Sequence, residues 1–277
     1  DKLVNNILGY KNENVVVTGA ASGMGAGCVE RLLEVGANVY ALDINEVTAP
    51  VTKSIMVNIM DKDSIAAAVA QLPDEIYSVF NCAGVPCPPT PAYNTVMINF
   101  VGLRELTEQL LPRIKKNGSI ASVASTAGMA WRSNLENVEQ FIAHDSFESA
   151  DAWLKTEEGA AISADAYAFS KQCMIVYMFN NTAELARKNI RINTICPSPT
   201  KSAFSEQMAE IGLGKDVTDM FTPSNGLYAN GGDMGDALVA INSSLFRFVS
   251  GCLIPVDWGY TAEITAGQRD NLLNISL

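Results

Sequence analysis

A glycine-rich turn near the start of the chain constrains the fold more than any other feature. The apolar run Asn14–Thr18 predicts a strand, and the amphipathic stretch that ends at about Val35 predicts a helix. Between them stands Thr18-Gly19-Ala20-Ala21-Ser22-Gly23-Met24-Gly25. Glycines permit a tight turn and a close backbone approach to a phosphate, and a helix N-terminus offers free N–H groups to that anion. The turn therefore predicts a pyrophosphate-binding β-α-β unit.

The rest of the chain alternates short apolar runs with longer amphipathic stretches, which is typical of a parallel sheet covered by helices on both faces. No composition break or internal repeat interrupts the order, so we predict one doubly wound α/β domain over residues 1–277. Two long excursions, 131–164 and about 201–230, are predicted to be a lid insertion and a substrate loop. Further strands are predicted near 38–43, 55–59, 76–81, 119–124, 191–196 and 253–256, and further helices near 61–71, 94–116, 166–188 and 232–246.

Composition excludes several classes of protein. Of the 277 residues, 48% are apolar and 18% charged, which excludes a disordered chain. The net charge of −11 argues against nucleic acid or an anionic membrane as a partner. No charge-free apolar run reaches the roughly 18 residues of a spanning helix. The first residues do not resemble a signal peptide, so we expect a cytoplasmic protein with reduced, buried cysteines.

The single histidine, His144, limits the available chemistry. One histidine argues against His-rich metal sites and against a Ser-His-Asp triad, so no metal is predicted. We expect His144 itself to lie on the surface of the insertion.

Asp43 indicates which nicotinamide cofactor the protein uses. It ends the second predicted strand, 18 positions after Gly25, where an acidic residue hydrogen-bonds the ribose 2′-hydroxyl of NAD. Its carboxylate would repel the 2′-phosphate of NADP. No Lys or Arg stands in the glycine turn or between Asp43 and Lys53 to receive that phosphate. The sequence therefore predicts NAD.

A tyrosine and a lysine at helical spacing supply candidate proton chemistry. Tyr167-Ala168-Phe169-Ser170-Lys171 opens a predicted helix, so Tyr167 and Lys171 share one face. A free tyrosine has a pKa near 10, roughly three units above neutral pH. A neighbouring ammonium group favours the phenolate and lowers that pKa. By itself, the same pattern would also suit an ordinary solvated helix face.

Together these features resemble the short-chain dehydrogenase/reductase family. The resemblance implies a single-domain Rossmann fold and an oxidoreductase that uses a nicotinamide cofactor. The matching segments occur in the family's order over nearly the whole chain: the glycine turn, Asn81-Cys82-Ala83-Gly84, Asn99, Ser125, Tyr167 with Lys171, and Pro197-Ser198-Pro199-Thr200.

The resemblance assigns a role to each matching residue. Tyr167 corresponds to the general acid/base, and Lys171 to the residue that lowers its pKa and binds the nicotinamide ribose. Ser125 corresponds to the serine that holds the substrate oxygen, with Ser122 as the alternative. Asn99 corresponds to the helix asparagine linked to a proton-relay water.

The same resemblance implies a set of cofactor contacts. Three segments depart from the family's usual residues: Asn58 replaces an Asp, Pro197-Ser198 replaces Pro-Gly, and Asp257-Trp258-Gly259 replaces Asp-Gly-Gly. Trp258 is predicted at the substrate or subunit boundary. The implied cofactor-binding residues are Gly19, Ser22, Gly23, Met24, Gly25, Asp43, Ile44, Asn58, Ile59, Asn81, Ala83, Gly84, Tyr167, Lys171, Pro197, Thr200 and Ser202.

The length and aromatic content of the insertion, residues 131–164, indicate the class of substrate. Ser125 and Tyr167 stand 42 positions apart, and the residues between include several aromatic side chains. In this respect the chain is similar to bacterial 3α-hydroxysteroid dehydrogenase/carbonyl reductases. That similarity implies a small hydrophobic alcohol or ketone, such as a hydroxysteroid, bile acid or similar alicyclic compound. The alternatives are a smaller alcohol, a 3-oxoacyl thioester, or a catalytically silent NAD-binding sensor.

The resemblance also implies a homo-oligomer, a dimer or a tetramer. Family members often associate through the long helices predicted near 94–116 and 166–188. The insertion directly precedes the second of these helices and could obstruct that interface instead of forming a lid.

Overall fold

Seven parallel strands form the central sheet of the computed structural model, which describes residues 6–201 and 219–276. Their order is β3-β2-β1-β4-β5-β6-β9, so the chain reverses direction across the sheet between β1 and β4. Such a reversal opens a crevice at the carboxyl ends of the strands. The strands are β1 (Asn14–Thr18), β2 (Asn38–Asp43), β3 (Lys53–Met56), β4 (Ile76–Asn81), β5 (Ile114–Val123), β6 (Arg191–Pro197) and β9 (Leu253–Val256).

Helices cover both faces of the sheet, which confirms the predicted doubly wound α/β fold. Successive strand residues point to opposite faces, so Val16 packs into one apolar core while Val15 and Val17 pack into the other. The helices are α1 (Gly23–Glu34), α2 (Lys62–Val69), α3 (Ala92–Val96), α4 (Leu103–Leu110), α5 (Leu135–Ile142), α6 (Phe147–Leu154), α7 (Glu157–Ile162), α8 (Ala166–Arg187), α9 (Gly231–Asn242) and α10 (Tyr260–Thr265); a π-helical segment, Met97–Gly102, joins α3 to α4.

The prediction of a helix over 94–116 is wrong at the C-terminal end. The α-helix ends at Leu110, and β5 begins at Ile114 after a short 3₁₀ turn. Pro112 lacks the amide hydrogen that a continuing helix needs, and Ile114 pairs with Ile76 of β4. The two lysines that follow favour helices, and the tertiary pairing overrides that preference.

Two smaller boundaries also differ from the prediction. The third strand occupies Lys53–Met56 instead of 55–59, because it pairs with β2 from Tyr40 to Asp43. The helix predicted over 232–246 ends at Asn242, and a 3₁₀ turn follows.

Glycines bring α1 and α9 into direct backbone contact. A Cβ on Gly27 would overlap the carbonyl oxygen of Gly231, and one on Gly235 would overlap the Gly27 carbonyl group. Because the glycine turn leads directly into α1, the contact between α1 and α9 also holds the turn in position. The sequence analysis assigned no function to these glycines.

A short two-stranded ribbon closes the base of the predicted substrate loop. Strand β7 (Thr200–Lys201) pairs in parallel with β8 (Ala229–Asn230). Asn230 then caps α9 in a reciprocal capping box with Asp233. Most of the loop predicted at 201–230, from residue 202 to 218, lies outside the described residues.

Two further predictions concern the environment of the protein. Among residues 6–201 and 219–276, no helix combines the length and apolar character required to span a bilayer. All six cysteines are free thiols. The predicted burial is correct for Cys28, Cys173 and Cys196, and the other three cysteines are partly exposed.

Replacing Gly27 with alanine is expected to separate α1 from α9. The new methyl group would overlap the Gly231 carbonyl oxygen, and overpacking of this kind costs about 2 kcal/mol or more. Urea unfolding should therefore show a lower free energy of unfolding. Gly232→Ala, whose methyl group would meet only the Asn230 Oδ1 at 3.1 Å and no backbone atom of α1, is the comparison and should lower the free energy of unfolding less. Equal stability of the two variants would refute the contact.

Candidate active site

The glycine turn folds as the close backbone approach requires. Gly19 has a φ of +63°, and a Cβ there would lie 2.8 Å from the Ala83 backbone nitrogen. Gly23 also has a positive φ, +56°. A Cβ on Gly25 would overlap the Gly19 carbonyl oxygen. Three of the turn's positions are thus restricted to glycine by conformation or by space.

The N-terminus of α1 fits a pyrophosphate. Ser22 is the N-cap residue, and its side chain makes no capping hydrogen bond. No acidic residue stands in the first turn of the helix. The backbone N–H groups at Gly23, Met24 and Gly25 have no intrahelical acceptors, so they and the helix dipole are available to an anion.

Thr18 connects the two strands that border this turn. Its hydroxyl accepts hydrogen bonds from the backbone amides of Cys82 (3.1 Å) and Ala83 (3.2 Å). It therefore fixes the chain after β4 against the end of β1. Sequence reasoning placed Thr18 in the glycine motif but assigned it no contact, because only the strand order brings β4 beside β1.

The Asn81 side chain faces inward. Its amide donates to the Thr107 hydroxyl at 3.0 Å and to the Ser122 hydroxyl at 3.4 Å, and the residue is buried. The next two predicted cofactor-binding residues, Ala83 and Gly84, are more exposed than Asn81.

Asp43 lies beside the glycine turn. Its carboxylate accepts hydrogen bonds from the backbone amides of Ala21 (3.0 Å) and Asn45 (2.9 Å). A groove next to it, between α1 and residues 47–50, is lined by Glu30, Glu34 and apolar side chains. The lining residues include no Lys or Arg. The surface next to Asp43 is therefore acidic.

The predicted cofactor-binding residues Ile44, Asn58 and Ile59 differ in exposure. Ile44 is 63% exposed, and Asn58 is also exposed. Ile59 is buried in the core, where its carbonyl oxygen lies against Gly102. The side chains of Ile44 and Asn58 are therefore accessible to a ligand, whereas Ile59 packs in the core.

Ser125 lies at the carboxyl end of β5, where it caps the short 3₁₀ turn Thr126–Gly128. Its hydroxyl is hydrogen-bonded to the phenol of Tyr167. The alternative serine, Ser122, is buried next to Asn81. The structure thus brings Ser125, and not Ser122, to Tyr167.

Two glycines make room for the buried Lys171 side chain. A Cβ on Gly128 would lie 2.9 Å from the Lys171 Cβ, and one on Gly84 would lie 3.4 Å from its Nζ. The Nζ donates to the Val123 carbonyl oxygen at 3.1 Å and lies 5.8 Å from the centroid of the Tyr167 ring.

Asn99 lies in the π-helical segment and joins the same group. Its Oδ1 accepts the Val85 amide at 2.8 Å, and its Nδ2 donates to the Val85 carbonyl at 3.0 Å. The Nδ2 also donates to the Ser170 hydroxyl, which in turn donates to the Tyr167 carbonyl oxygen. Asn99 therefore connects the loop after β4 to the first turn of α8.

Burial dominates the electrostatics of this group. It raises the pKa of Tyr167, and the hydrogen bond with Ser125 acts in the opposite direction. Burial also lowers the pKa of Lys171 to about 8. The sequence predicted a lowered pKa for Tyr167. The structure gives a raised pKa instead, because the loss of hydration outweighs the effects that favour the phenolate.

The remaining predicted positions follow β6 and β9. The Pro197 carbonyl oxygen accepts the Thr126 hydroxyl at 3.1 Å, and the Thr200 hydroxyl donates to the Ser198 carbonyl oxygen. Ser202 lies outside the described residues. Trp258 is 77% exposed and has a φ of +48°, which is unusual for a bulky residue.

The insertion packs against α4 and α8. Phe141 of α5 contacts the rings of Phe100, Trp153 and Phe169. The buried Arg104 of α4 donates to the carbonyl oxygens of Ile142 (3.4 Å), the last residue of α5, and His144 (2.7 Å). The apolar face of the insertion thus covers the π-helical segment and α8.

His144 is only partly exposed, so the expected surface position is correct in part. Its Nδ1 is hydrogen-bonded to the Ser149 hydroxyl at 2.7 Å, and its ring lies against Trp153. These contacts hold it within the insertion.

A doubly wound sheet, a glycine turn that leads into free helix N-terminal amides, and a Ser-Tyr-Lys group at one edge define a dinucleotide-dependent oxidoreductase. Residues 13–136 match the family model described as short chain dehydrogenase, and residues 154–261 match the one described as enoyl-(acyl carrier protein) reductase. The chain belongs to the short-chain dehydrogenase/reductase family. It is an oxidoreductase that acts on alcohols or ketones with NAD or NADP.

Several individual proteins are similar over nearly the whole chain. Coniferyl-alcohol dehydrogenase of Pseudomonas sp. (strain HR199 / DSM 7063) is 29% identical, over 90% of this chain and 96% of that relative. The 3-alpha-hydroxysteroid dehydrogenase/carbonyl reductase of Comamonas testosteroni is 25% identical, over 92% and 98%. The solved structure of 3-alpha-hydroxysteroid dehydrogenase from Pseudomonas sp. B-0831 complexed with NADH has a TM-score of 0.76 at 20% identity, over 93% and 99%.

The buried ammonium group of Lys171 should make stability depend on pH. The folded-state pKa, about 8, lies below the usual lysine pKa of 10.5, so the unfolded chain binds more protons between these two pH values. The free energy of unfolding therefore rises there by about 1.4 kcal/mol per pH unit. The Lys171→Met variant lacks this titrating group, so its free energy of unfolding should not show this rise. From pH 7 to 9.5, the wild type should therefore gain about 2 kcal/mol of stability relative to the variant.

Urea unfolding of both proteins at several pH values measures this difference. Lys116→Met, at an exposed lysine, is the control and should track the wild type at every pH. A constant difference between Lys171→Met and wild type would show that Lys171 keeps its usual pKa in the folded protein.

Proposed function

We propose that the protein is an NAD-dependent dehydrogenase that interconverts an alicyclic secondary alcohol and its ketone. The observation that carries this proposal is the convergence of Ser125, Tyr167, Lys171 and Asn99 beside the glycine turn. A silent NAD-binding sensor would need no hydrogen-bonded serine–tyrosine pair next to a buried lysine.

In oxidation, the Tyr167 phenolate takes the hydroxyl proton of the substrate, and Ser125 hydrogen-bonds the substrate oxygen. Bound NAD supplies the acceptor for the hydride. Lys171 stabilises the phenolate by its positive charge, and Asn99 holds the loop after β4 against α8. Positioned acid–base catalysis of this kind contributes roughly 10²–10⁴-fold to the rate.

The acidic surface around Asp43 supports NAD over NADP. The carboxylate is held by two backbone amides and retains lone pairs for a ribose hydroxyl. Glu30 and Glu34 line the adjacent groove, where they would repel a 2′-phosphate. The nearby Arg31 is engaged by Glu34 and Asp236 at 2.6 and 2.7 Å.

The insertion and the similarity to a hydroxysteroid dehydrogenase support an alicyclic substrate, such as a steroid or a bile acid. A second candidate is a primary aryl-allylic alcohol, which the 29% identity to a coniferyl-alcohol dehydrogenase favours. A 3-oxoacyl thioester is less well supported, because an anionic carrier would meet a chain with a net charge of −11.

We further propose a cytoplasmic homo-oligomer, a dimer or a tetramer, that associates away from α4 and α8. Phe141 packs on Phe100 of the π-helical segment that leads into α4 and on Phe169 of α8, so the insertion occupies surface that these helices would use for a subunit contact. This packing favours the obstructing function of the insertion over the lid function.

NADH formation with a panel of alcohols tests the reaction and the substrate class together. The panel contains 3α- and 3β-hydroxysteroids, bile acids, simple alicyclic alcohols, coniferyl alcohol and 3-hydroxyacyl thioesters. We expect selective turnover of a ring alcohol and at least a 10²-fold lower kcat for Tyr167→Phe, which lacks the proton acceptor. Tyr177→Phe, a tyrosine of the same helix whose hydroxyl bonds Glu108, is the matched control.

Each result of the panel has a defined meaning. Turnover of coniferyl alcohol alone would replace the first candidate by the second. Near-normal kcat for Tyr167→Phe would exclude Tyr167 as the acid/base. NADH binding without turnover of any alcohol would favour the sensor.

Replacing Asp43 with alanine is expected to weaken NAD binding about 10- to 100-fold, because a hydrogen bond to a charged acceptor contributes roughly 1.5–3 kcal/mol. NADP binding should improve, since the repulsion of its phosphate falls. Titration of the cofactor's nicotinamide fluorescence with NADH and NADPH measures both constants. The control is Glu46→Gln, which removes the same charge from an exposed position three residues away. Unchanged selectivity in Asp43→Ala would refute the assignment.

A further inference from the structure

A third, small apolar core lies directly behind the predicted catalytic residues. One side of it comes from the active-site elements: Ala124 and Met129 flank the Ser125 turn, and Ile175 lies one helical turn after Lys171. The other side comes from distant parts of the chain, chiefly Tyr260 and Ile275. The segment 271–276 therefore packs against the back of the active site.

Hydrogen bonds attach this segment to the turn that Ser125 begins. The Ser276 amide donates to the Met129 carbonyl oxygen at 3.2 Å. The Asn271 side chain accepts the Ile275 amide at 2.7 Å and donates to the Ile275 carbonyl at 2.9 Å. Asn271 thus holds the backbone of the buried Ile275, and the next residue is bonded to the turn.

The turn Thr126–Gly128 connects Met129, to which the segment is bonded, with Ser125 and Lys171. The Gly128 amide donates to the Ser125 carbonyl at 2.9 Å, and the Ala127 amide donates to the Ser125 hydroxyl at 3.2 Å. Gly128 packs against Lys171, since a Cβ on it would lie 2.9 Å from the Lys171 Cβ. A shift of Met129 would therefore move the Ser125 hydroxyl relative to Tyr167.

We propose that segment 271–276 is a positioning element that holds the Ser125 turn against α8 for proton transfer. None of its residues needs to touch the substrate or the cofactor. This inference rests on the proposed function, in which Ser125 binds the substrate oxygen.

Asn271→Ala is the central variant, because it removes two hydrogen bonds from an exposed side chain and leaves the apolar core intact. Asn271→Asp retains the acceptor of the Ile275 amide and should recover part of the effect. Leu272→Ala is the control, since Leu272 is adjacent and 51% exposed.

Hydrogen exchange measured by NMR or mass spectrometry tests the attachment without any substrate. We expect the amides of Gly128 and Met129 to exchange about tenfold faster in Asn271→Ala, less so in Asn271→Asp, and at the wild-type rate in Leu272→Ala. Unchanged exchange in Asn271→Ala would overturn the proposal.

Kinetics test whether the attachment serves the reaction. In Asn271→Ala, we expect kcat to fall about tenfold while the NADH dissociation constant stays within twofold. The apparent pKa of kcat/KM in the oxidation direction should rise, as in Ser125→Ala, because the Ser125 hydrogen bond lowers the pKa of Tyr167. Faster exchange with unchanged kcat and an unchanged pH profile would reduce the segment to a structural element and overturn the proposal.

The two tests separate this proposal from the proposed function. If the wild type oxidises none of the panel alcohols, the proposed function fails. The exchange comparison still decides whether the segment holds the turn.

Discussion

The backbone contact inside the glycine turn is the constraint on which the rest of the active site depends. The Gly19 carbonyl fits against Gly25 with no space for a methyl group, and a Cβ on Gly19 would lie 2.8 Å from the Ala83 backbone. These contacts set how near α1 lies to the ends of β1 and β4. The glycines of α9 press on the other side of α1, so the helix is fixed between two glycine contacts. The free amides at its N-terminus are thereby aimed at the crevice between β1 and β4.

The same crevice joins polar groups from separate elements. Ser125 comes from the end of β5, Tyr167 and Lys171 from α8, and Asn99 from the π-helical segment. Each is fixed by contacts to backbone atoms or to neighbouring side chains of the group. The buried Lys171 is the least favourable of these groups for stability, since its charged form loses hydration in the fold. The proposed role of Lys171 in proton transfer would account for the charge retained there.

Sequence patterns predicted most of this arrangement, because strand alternation, the glycine turn and the Tyr167–Lys171 spacing are local signals. The placement of Ser125 next to Tyr167 was also predicted, although through the family resemblance. The end of the helix at Leu110 was missed, since the lysines after Pro112 favour a helix and only pairing with β4 makes them a strand. The inward orientation of Asn81 and the attachment of Met129 to Ser276 depend on long-range packing, so no local pattern contains them.

The ribbon of β7 and β8 has a consequence for how such a protein can diversify. It places Lys201 beside Asn230, so the ends of the intervening chain are held together by the fold itself. For a loop whose ends are already joined, extra length costs little, roughly 0.6 kcal/mol for each doubling. Segments of different length and composition can therefore be exchanged at this point while the sheet and α9 stay as they are. The ribbon thus separates variation in this part of the sequence from the geometry of the sheet.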